Sequence, residues 1–404
     1  MSYQNVASCR FYIDYFSYWK SVGLVHALKS WDWNGNYHDG YFIGLNPSLN
    51  TRIFTGEVLD IEGGADAPED KFVIAVDLKE AVPNRVLDSI NFCGVLGHNI
   101  NVYSDEINGC EMQFLTNKRD AMDSQIGQHT PMGTIDSGWL EGEPEIINAE
   151  RDDAELKVGN SGFSLSKVEF HANTSNYDDT KDEVDRFAFR MQWRDPSGYI
   201  IGGESSDEVI SGDWNLNCLT MGHYYEMPRS PDLNLTMTTE FDGFDQLTTQ
   251  GGATITNVRY TGNPQWAGNN AWEIGDSNKY YKRNGRRTWK LKFSYLDATD
   301  VFASNYSSNT YLQNGTHSSN DDYHNNNDLN SVRDAFEYTL ADDDSFGAKV
   351  LNFIGSGQRF IFQPDNTNNN PDQFAICILD QDSLVLKQTA SNVYDVSMKI
   401  VEVW

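Results

Sequence analysis

The stretch that decides the fold runs Arg287-Thr288-Trp289-Lys290-Leu291-Lys292-Phe293-Ser294-Tyr295. Large apolar side chains alternate with polar ones along it, with Trp289, Leu291, Phe293 and Tyr295 on one side and Thr288, Lys290, Lys292 and Ser294 on the other. Because successive side chains of a strand point to opposite faces, this period of two predicts a half-buried β-strand. The wider segment, residues 222–295, contains turn, proline and strand signals and a polar, hairpin-like region, without a recognisable catalytic motif.

Other apolar runs and alternating stretches predict further strands. They cover residues 11–13, 72–76, 92–103, 187–193, 359–362, 374–379 and 395–404. Aromatic residues make up 13% of the chain, which provides large side chains that cover one another across strands. Helical spacing is weak: residues 17–30 read as a helix or an irregular strand, and residues 329–340 as a short helix. The sequence therefore predicts an all-β fold built from antiparallel sheets.

The connections between these strands are rich in Asn, Asp, Ser and Gly, which favour turns and loops. Residues 173–185 and 202–213 read as polar loops, and residues 302–328 as a long flexible loop. Asn284-Gly285 lies between two strand-like flanks and predicts a hairpin, since a type I′ turn needs a positive φ at both central residues.

Two prolines, Pro228 and Pro231, predict a linker or a rigid turn, because proline fixes its own φ and biases the preceding residue away from helix. We place a domain boundary there. The prediction is a first β domain over residues 1–228, whose resemblance to known proteins implies a jelly-roll β-sandwich, and a second β domain over residues 229–404. The second domain is an antiparallel sandwich or a barrel-like structure with long polar loops.

The chain is strongly acidic, with 59 acidic residues against 30 basic ones and a formal net charge of -29. Repulsion opposes binding to nucleic acid or to an anionic membrane surface. We therefore expect neither a sequence-specific nucleic acid partner nor a membrane partner. The acidity is explained by a solvated surface adapted to salty water or by the wall of a conduit that passes a polyanion, and the first is favoured.

The cysteines do not predict a disulfide framework or a zinc site, because they are odd in number and widely spaced. They are Cys9, Cys93, Cys110, Cys218 and Cys377. We expect buried thiols. No apolar run reaches the roughly 18 residues that span a bilayer, and the first residues do not resemble a signal peptide, so a protein made in the cytoplasm is expected.

Candidate reactive groups are few. His98 and His223 lie in strand-like segments, where a packed or hydrogen-bonded histidine is more common than a catalytic base. Asp321, Asp322 and Asp328 offer oxygen ligands to Ca²⁺ without the glycine and closing glutamate of an EF-hand, so a solvated loop is favoured.

Other enzyme signatures are equally weak. Residues 355–359 lack the lysine and the spacing of a phosphate-binding loop, and no nucleophile elbow is present. A glycosidase needs only two carboxylates at the right separation, which a sequence does not locate. The aromatic residues would suit a sugar-binding surface, although core packing is favoured for most of them. The sequence thus assigns no catalytic, cofactor-binding or metal-binding residue, and we expect no cofactor and no enzyme activity.

Two sets of motifs resemble tail proteins of tailed bacteriophages, especially marine ones. The first set is Asp195-Pro196-Ser197-Gly198-Tyr199-Ile200-Ile201-Gly202, Leu216-Asn217-Cys218-Leu219-Thr220-Met221-Gly222-His223-Tyr224-Tyr225-Glu226-Met227-Pro228 and Ser230-Pro231-Asp232-Leu233. The second set is Gly285-Arg286-Arg287-Thr288-Trp289, Phe360-Ile361-Phe362-Gln363-Pro364-Asp365, Asp372-Gln373-Phe374-Ala375-Ile376-Cys377 and Ile400-Val401-Glu402-Val403-Trp404. The N-terminal part, with Val95-Leu96-Gly97-His98-Asn99, is similar to galactose-binding, discoidin-like jelly rolls, from which the insertion between Gly202 and Trp214 departs.

The resemblance implies a structural protein of the distal tail or baseplate, located in the virion and assembled in the host cytoplasm. It implies a homo-oligomeric ring, with a hexamer favoured, that joins the tail tube to the tip complex. The implied partners are other copies of the chain and the tail tube, hub or tip proteins. An acidic ring lumen would suit the passage of DNA.

Three functions follow in order of preference. The first is the non-enzymatic ring protein, whose flexible loop reaches neighbouring proteins. The second is a carbohydrate-binding adhesion module that recognises a host-surface glycan through the jelly roll. The third is a glycan-degrading tail enzyme, for which the sequence offers no site.

Overall fold

The computed structural model describes a large part of the chain in separate segments. They are residues 7–31, 37–39, 44–45, 51–57, 71–83, 89–96, 109–117, 135–136, 140–141, 163–167, 171–172, 183–194, 211–216, 218–233, 235–240, 244–258, 265–266, 269–270, 286–302, 344–368 and 373–403.

Strands dominate these segments, which confirms the predicted all-β class. The strands are β1 Arg10–Asp14, β2 Val25–Trp31, β3 Tyr37–Asp39, β4 Thr51–Glu57, β5 Lys71–Pro83, β6 Phe92–Leu96, β7 Gly109–Asn117, β8 Ile135–Asp136, β9 Leu140–Glu141, β10 Phe163–Lys167, β11 His171–Ala172, β12 Glu183–Arg194, β13 Ser211–Leu216, β14 Cys218–Glu226, β15 Thr236–Glu240, β16 Phe244–Thr248, β17 Thr254–Val258, β18 Gln265–Trp266, β19 Asn269–Asn270, β20 Arg286–Asp297, β21 Phe360–Gln363, β22 Ala375–Leu379, β23 Val385–Ala390 and β24 Val393–Glu402. The described helices are short: α1 Tyr15–Ser21, α2 Ala298–Val301, a π-helical turn Gly347–Leu351, and α3 Asn352–Ile354.

Two large antiparallel sheets contain most of the described strands. The ten-stranded sheet has the order β10-β6-β14-β1-β21-β22-β24-β20-β15, and β23 pairs with β24 beside this path. The eight-stranded sheet has the order β11-β8-β7-β12-β5-β2-β3, and β9 pairs with β7. Three two-stranded sheets are β4 with β13, β16 with β17, and β18 with β19.

The ten-stranded sheet runs across the predicted domain boundary. Strand β1 lies between β14 and β21, with Phe11 opposite Tyr225 on one side and Phe362 on the other. Strands from residues 1–228 and 229–404 therefore share one sheet. Pro228 and Pro231 lie in the connection that leads from β14 to β15 within that sheet.

The deciding stretch forms β20, and its alternation is confirmed at Trp289, Leu291 and Phe293, which are all buried. The prediction for Tyr295 is wrong, because this side chain points into solvent. A β-bulge shifts the register of β20 against β24 between Phe293 and Leu296, so Leu296 takes the inward position. Tyr295 sits at the bulge with φ 60, and the extra residue there inverts the alternation.

The segment predicted as a helix or an irregular strand over residues 17–30 contains one of each. Helix α1 begins earlier and ends at Ser21, and β2 follows from Val25. Gly23, with φ 75, lets the chain leave the helix: its N–H bonds to the Lys20 carbonyl, and the Leu24 N–H reaches back to the Trp19 carbonyl. This pair of bonds satisfies carbonyls at the helix end and makes the glycine a stop signal.

Helix α1 carries aromatic side chains to the core on two sides. Phe16 and Trp19 contact Phe187 of the eight-stranded sheet, with ring centroids 6.2 and 5.0 Å apart. On the other side, Tyr15 stacks on Phe353 of α3 at 4.8 Å. Through these contacts, buried residues of both large sheets share one apolar cluster, whereas Tyr12, Phe92 and Ile361 belong to a second one.

Several expectations lie outside the described residues. They are the Asn284-Gly285 hairpin turn, the loop over residues 302–328 beyond Phe302, the helix over residues 329–340, His98, and the acidic group Asp321, Asp322 and Asp328. Two predicted loops end too late, because residues 183–185 belong to β12 and residues 211–213 to β13. The other predicted strands are confirmed where they are described.

Candidate functional site

The centre of the ten-stranded sheet is organised around a buried carboxylate, Asp14, at the end of β1. Its oxygens accept four hydrogen bonds, from Ser17 N at 2.9 Å, Leu45 N at 3.2 Å, Thr220 Oγ1 at 3.0 Å and Met221 N at 3.3 Å. Burial raises the pKa of Asp14 above the usual carboxyl range, and these hydrogen bonds oppose the rise. The residue caps α1 and at the same time joins it to two distant segments, the one at Leu45 and strand β14.

Two glycines make room for this arrangement. A Cβ atom on Gly44 would lie 2.8 Å from Ser17 Oγ, and Gly44 has φ 85, which favours glycine. A Cβ atom on Gly222 would lie 2.0 Å from the Ile13 carbonyl oxygen, so β1 and β14 approach each other only because this position has no side chain. The site is therefore built for close backbone packing.

His223 lies on β14 and is tied to the segment that precedes β6. Its Nδ1 is 2.9 Å from the Ser89 carbonyl oxygen, which only accepts, so Nδ1 carries the proton in this hydrogen bond. The side-chain oxygen of Asn91 accepts a hydrogen bond from the Tyr224 N–H at 2.7 Å, and the backbone N–H of Asn91 donates to the Gly222 carbonyl. The side chains and backbone of this segment thus extend the pairing of β14.

The electrostatics of His223 favour a structural role. Burial lowers the pKa of His223 to about 4, against an opposing effect of the Ser89 hydrogen bond and with a smaller lowering effect from the charge of Lys349. The imidazole is neutral near pH 7. A general base works best when its pKa lies near the working pH, so this ring is poorly placed for that task.

Four of the five cysteines are described, and each is a buried thiol outside any disulfide: Cys9, Cys93, Cys218 and Cys377. Burial raises the pKa of Cys9, Cys93 and Cys377, which disfavours the reactive thiolate. Across the segments that the structure describes, no group of three or more His, Cys, Asp or Glu side chains is arranged to hold a metal ion.

A buried ion pair joins β20 to the end of β24. Arg287 Nη2 donates to Glu402 Oε1 at 2.9 Å, and both Arg287 N and Nε donate to Glu402 Oε2. The guanidinium also donates to the Phe374 carbonyl at 2.8 Å and lies over the Trp289 ring, 5.2 Å from its centroid. The pair is fully engaged within the sheet and fixes the C-terminal strand.

The bulge in β20 creates an exposed aromatic side chain. Tyr295 is 71% exposed, and its N–H lies 3.4 Å from Asp395 Oδ1. Lys292 Nζ lies 3.1 Å from Asp395 Oδ2 and 3.7 Å from Asp232 Oδ2. The hydrogen bond from Lys292 lowers the pKa of Asp395. A positive φ on a bulky residue is strained, and such strain is concentrated at functional sites.

The outer edge of the ten-stranded sheet is exposed along its whole length. Every residue of β15 is exposed, and among the strands described here β15 pairs with β20 alone. The hairpin formed by β16 and β17 follows directly along the chain. It confirms the hairpin-like region predicted from the sequence, whereas the exposure of its apolar residues was not predicted.

The hairpin exposes apolar side chains to solvent. Leu247 and Ile255 are opposite each other in the register and are 66% and 57% exposed. A turn holds the hairpin together: Thr249 N–H donates to the Ala253 carbonyl at 2.9 Å, and Thr249 Oγ1 accepts from Ala253 N–H at 3.1 Å. Exposed apolar residues on adjacent elements are typical of a protein interaction surface.

Comparisons with known proteins give no significant match to a family model, a curated protein or a solved structure. Among the described helices, none is long and apolar enough to cross a membrane. The candidate surfaces are thus defined by the geometry of this chain alone: the β15 edge with its neighbouring hairpin, and the Tyr295 bulge.

Proposed function

We propose that this chain is a non-enzymatic structural protein of a tailed-phage virion, in the distal tail or baseplate. Copies of it form a closed ring that joins the tail tube to the tip complex. The observation that carries the proposal is that polar groups inside the protein hydrogen-bond to other parts of the same chain. Asp14 and Glu402, which are buried, and His223, which is partly buried, are each held in hydrogen bonds to distant segments of the chain, as expected of a scaffold. A catalytic centre would instead direct such groups toward a substrate.

The exposed surfaces support assembly. A closed ring built from one chain needs two complementary patches that meet between neighbouring copies. The β15 edge and the hairpin provide two such patches beside each other. The net charge of -29 suits a ring whose lumen passes DNA, because the wall repels the polyanion.

The motifs behind the phage resemblance occupy neighbouring strands. The blocks over residues 218–226, 286–289, 360–363, 375–377 and 400–402 lie on β14, β20, β21, β22 and β24 of the ten-stranded sheet. We also propose that the N-terminal part has the strand connectivity of a jelly roll.

Light scattering at several protein concentrations, together with negative-stain imaging, tests the proposal. We expect discrete rings of one symmetry, with a hexamer favoured, and a mass that is an integral multiple of the 45.7 kDa chain. Tail tube, hub or tip proteins added to the ring are expected to bind its two faces. A protein that stays monomeric and turns over a glycan would contradict it.

A carbohydrate-binding adhesion function is the second candidate, and the Tyr295 bulge favours it. Tyr295 combines a strained backbone φ with an exposed aromatic ring beside Asp395. Such a ring resembles a platform on which a sugar can stack, with a polar group next to it. A glycan array with the wild-type protein and Tyr295→Ala tests this candidate. Saturable binding that Tyr295→Ala abolishes, and that the exposed-site control Val385→Ala retains, would support adhesion; absence of binding by the wild type would rule against it.

A further inference from the structure

We propose that hairpin β16–β17 of one copy docks on the exposed edge strand β15 of a second copy. This inference rests on the proposed ring assembly and names the surface that forms it. The two elements are connected by residues 241–243, so each copy presents a hairpin and an edge side by side. The contact joins two different surfaces, and such heterologous contacts generate rings when the rotation closes.

The hairpin is exposed and preorganised. Among the described elements, no other strand or helix packs extensively against it. An isolated two-stranded hairpin is at best marginally stable in water, and burial of Leu247 and Ile255 against another surface would stabilise it. Its Thr249–Ala253 turn is already hydrogen-bonded, which lowers the ordering cost of docking.

Charge argues for a second copy as the occupant. Thirteen consecutive residues from Gln246 to Val258 carry no charge, whereas 22% of the whole chain is charged. Two copies that each carry a net charge of -29 repel each other, so they meet most easily where neither surface is charged. Other uncharged runs that the structure describes, such as β6 and most of β14, are buried and not available for contact.

The acceptor edge has matching properties. Four of the five β15 residues, Thr236 to Thr239, are uncharged, and Met237 at the centre is exposed. An edge strand offers unpaired N–H and C=O groups that an incoming strand can bind. Addition of a strand from a neighbour is a common recognition mode, in which main-chain hydrogen bonds give affinity and side chains give register.

The test uses three single variants of the full chain. Leu247→Asp places a charge on the hairpin, and Met237→Asp places one on the acceptor edge. Val22→Asp is the matched control, since Val22 is 57% exposed, like Met237, and lies outside both surfaces while the substitution adds the same charge. Mass is measured by light scattering, and circular dichroism checks that each variant is folded.

The expected result is that the wild type and Val22→Asp form rings, whereas Leu247→Asp and Met237→Asp are each monomeric. A one-to-one mixture of the two monomeric variants should give dimers, because Met237→Asp retains an intact hairpin and Leu247→Asp an intact edge. That mixture can form one contact but cannot close a ring.

Two outcomes would overturn the inference while leaving the proposed function in place. If Leu247→Asp still forms rings, the hairpin is not the contact. If Met237→Asp assembles while Leu247→Asp does not, the hairpin meets something other than β15. A wild-type protein that is monomeric at every concentration would overturn ring assembly itself, and the docking contact with it.

Discussion

The centre and the outer end of the ten-stranded sheet use their side chains in different ways. At the centre, β1 and its neighbours are covered on both faces, with Phe11 and Tyr12 belonging to two separate apolar clusters. At the outer end, β20 and β24 bury one face and expose the other, and β15 is exposed throughout. The centre holds the fold, whereas the outer end is free to contact other molecules.

This difference predicts where substitutions affect folding and where they affect assembly. A buried polar group that loses its partner costs the desolvation of the groups left behind, whereas an exposed one recovers hydrogen bonds from water. Changes at the centre should therefore lower the free energy of unfolding strongly. Changes at the exposed positions of the outer end should leave it nearly unchanged and alter association instead.

The largest effect is expected for Asp14→Ala. The change leaves Ser17 N, Thr220 Oγ1 and Met221 N without their shared acceptor in a dry environment. At about 1–3 kcal/mol for each of these three unsatisfied groups, the free energy of unfolding should fall by about 3–9 kcal/mol. Urea unfolding measures it.

Asp14→Asn is the control for this prediction, because the amide oxygen keeps one acceptor in the same volume. We expect it to lose less than half as much as Asp14→Ala. Equal stability of Asp14→Ala and the wild type would show that water enters the site, and the centre would then not differ from the outer end.

A smaller effect is expected for Glu402→Gln, which removes the counter-charge of Arg287. Breaking a buried pair leaves an uncompensated charge, and we expect a loss of about 3 kcal/mol because Arg287 is partly exposed. Glu226→Gln is the matched control, since it breaks the more exposed pair with Arg10 and should cost less than about 1 kcal/mol. Similar losses in the two variants would contradict the assigned difference in burial.

The same contrast explains which parts of the fold the sequence predicts. At the outer end, one wet face imposes alternation, so Val396, Met398 and Ile400 identify β24 and its buried side. At the centre, β1 is buried on both faces, so apolar and polar residues do not alternate along it. Its apolar run predicts a strand but not the neighbouring strands. Strand β21, about 350 residues further on, pairs with β1 through contacts that only the folded chain brings together.

The candidate surfaces were less predictable for related reasons. Aspartate is a common N-cap residue, so the sequence gives no sign that Asp14 does more than cap a helix. Its hydrogen bonds to Leu45 and Thr220 depend on residues that are distant along the chain. The exposure of Tyr295 follows from a register shift against β24, which a single strand does not encode. Leu247 and Ile255 lie in the region predicted only as polar and hairpin-like, and no sequence pattern indicates that their side chains are exposed.

An intermediate effect is expected from the pH dependence of stability at His223. Its pKa is about 4 in the folded chain, below the ordinary value of 6.5, so the unfolded chain binds more protons between these values. Stability contributed by the neutral ring is therefore complete above pH 6.5 and is lost as the pH falls toward 4. Between pH 6.5 and 5 the loss should be about 2 kcal/mol.

His223→Gln separates this contribution from that of the carboxylates, which titrate in both proteins. Urea unfolding at pH 6.5 and 5 should show a smaller difference for the variant than for the wild type. The same pH difference in both proteins would mean that the ring is solvated and does not belong to the buried centre.

The smallest effect on folding is expected for Leu247→Ala in the hairpin. Because this side chain is mostly in water, its truncation should change the free energy of unfolding of the monomer by less than about 0.5 kcal/mol. Leu291→Ala removes the same atoms from the buried face of β20 and should cost about 2–5 kcal/mol. If Leu247→Ala weakens association while leaving unfolding unchanged, the hairpin residue acts between copies. A large loss of monomer stability would instead mean that Leu247 packs within its own chain, and the outer end would then hold the fold as the centre does.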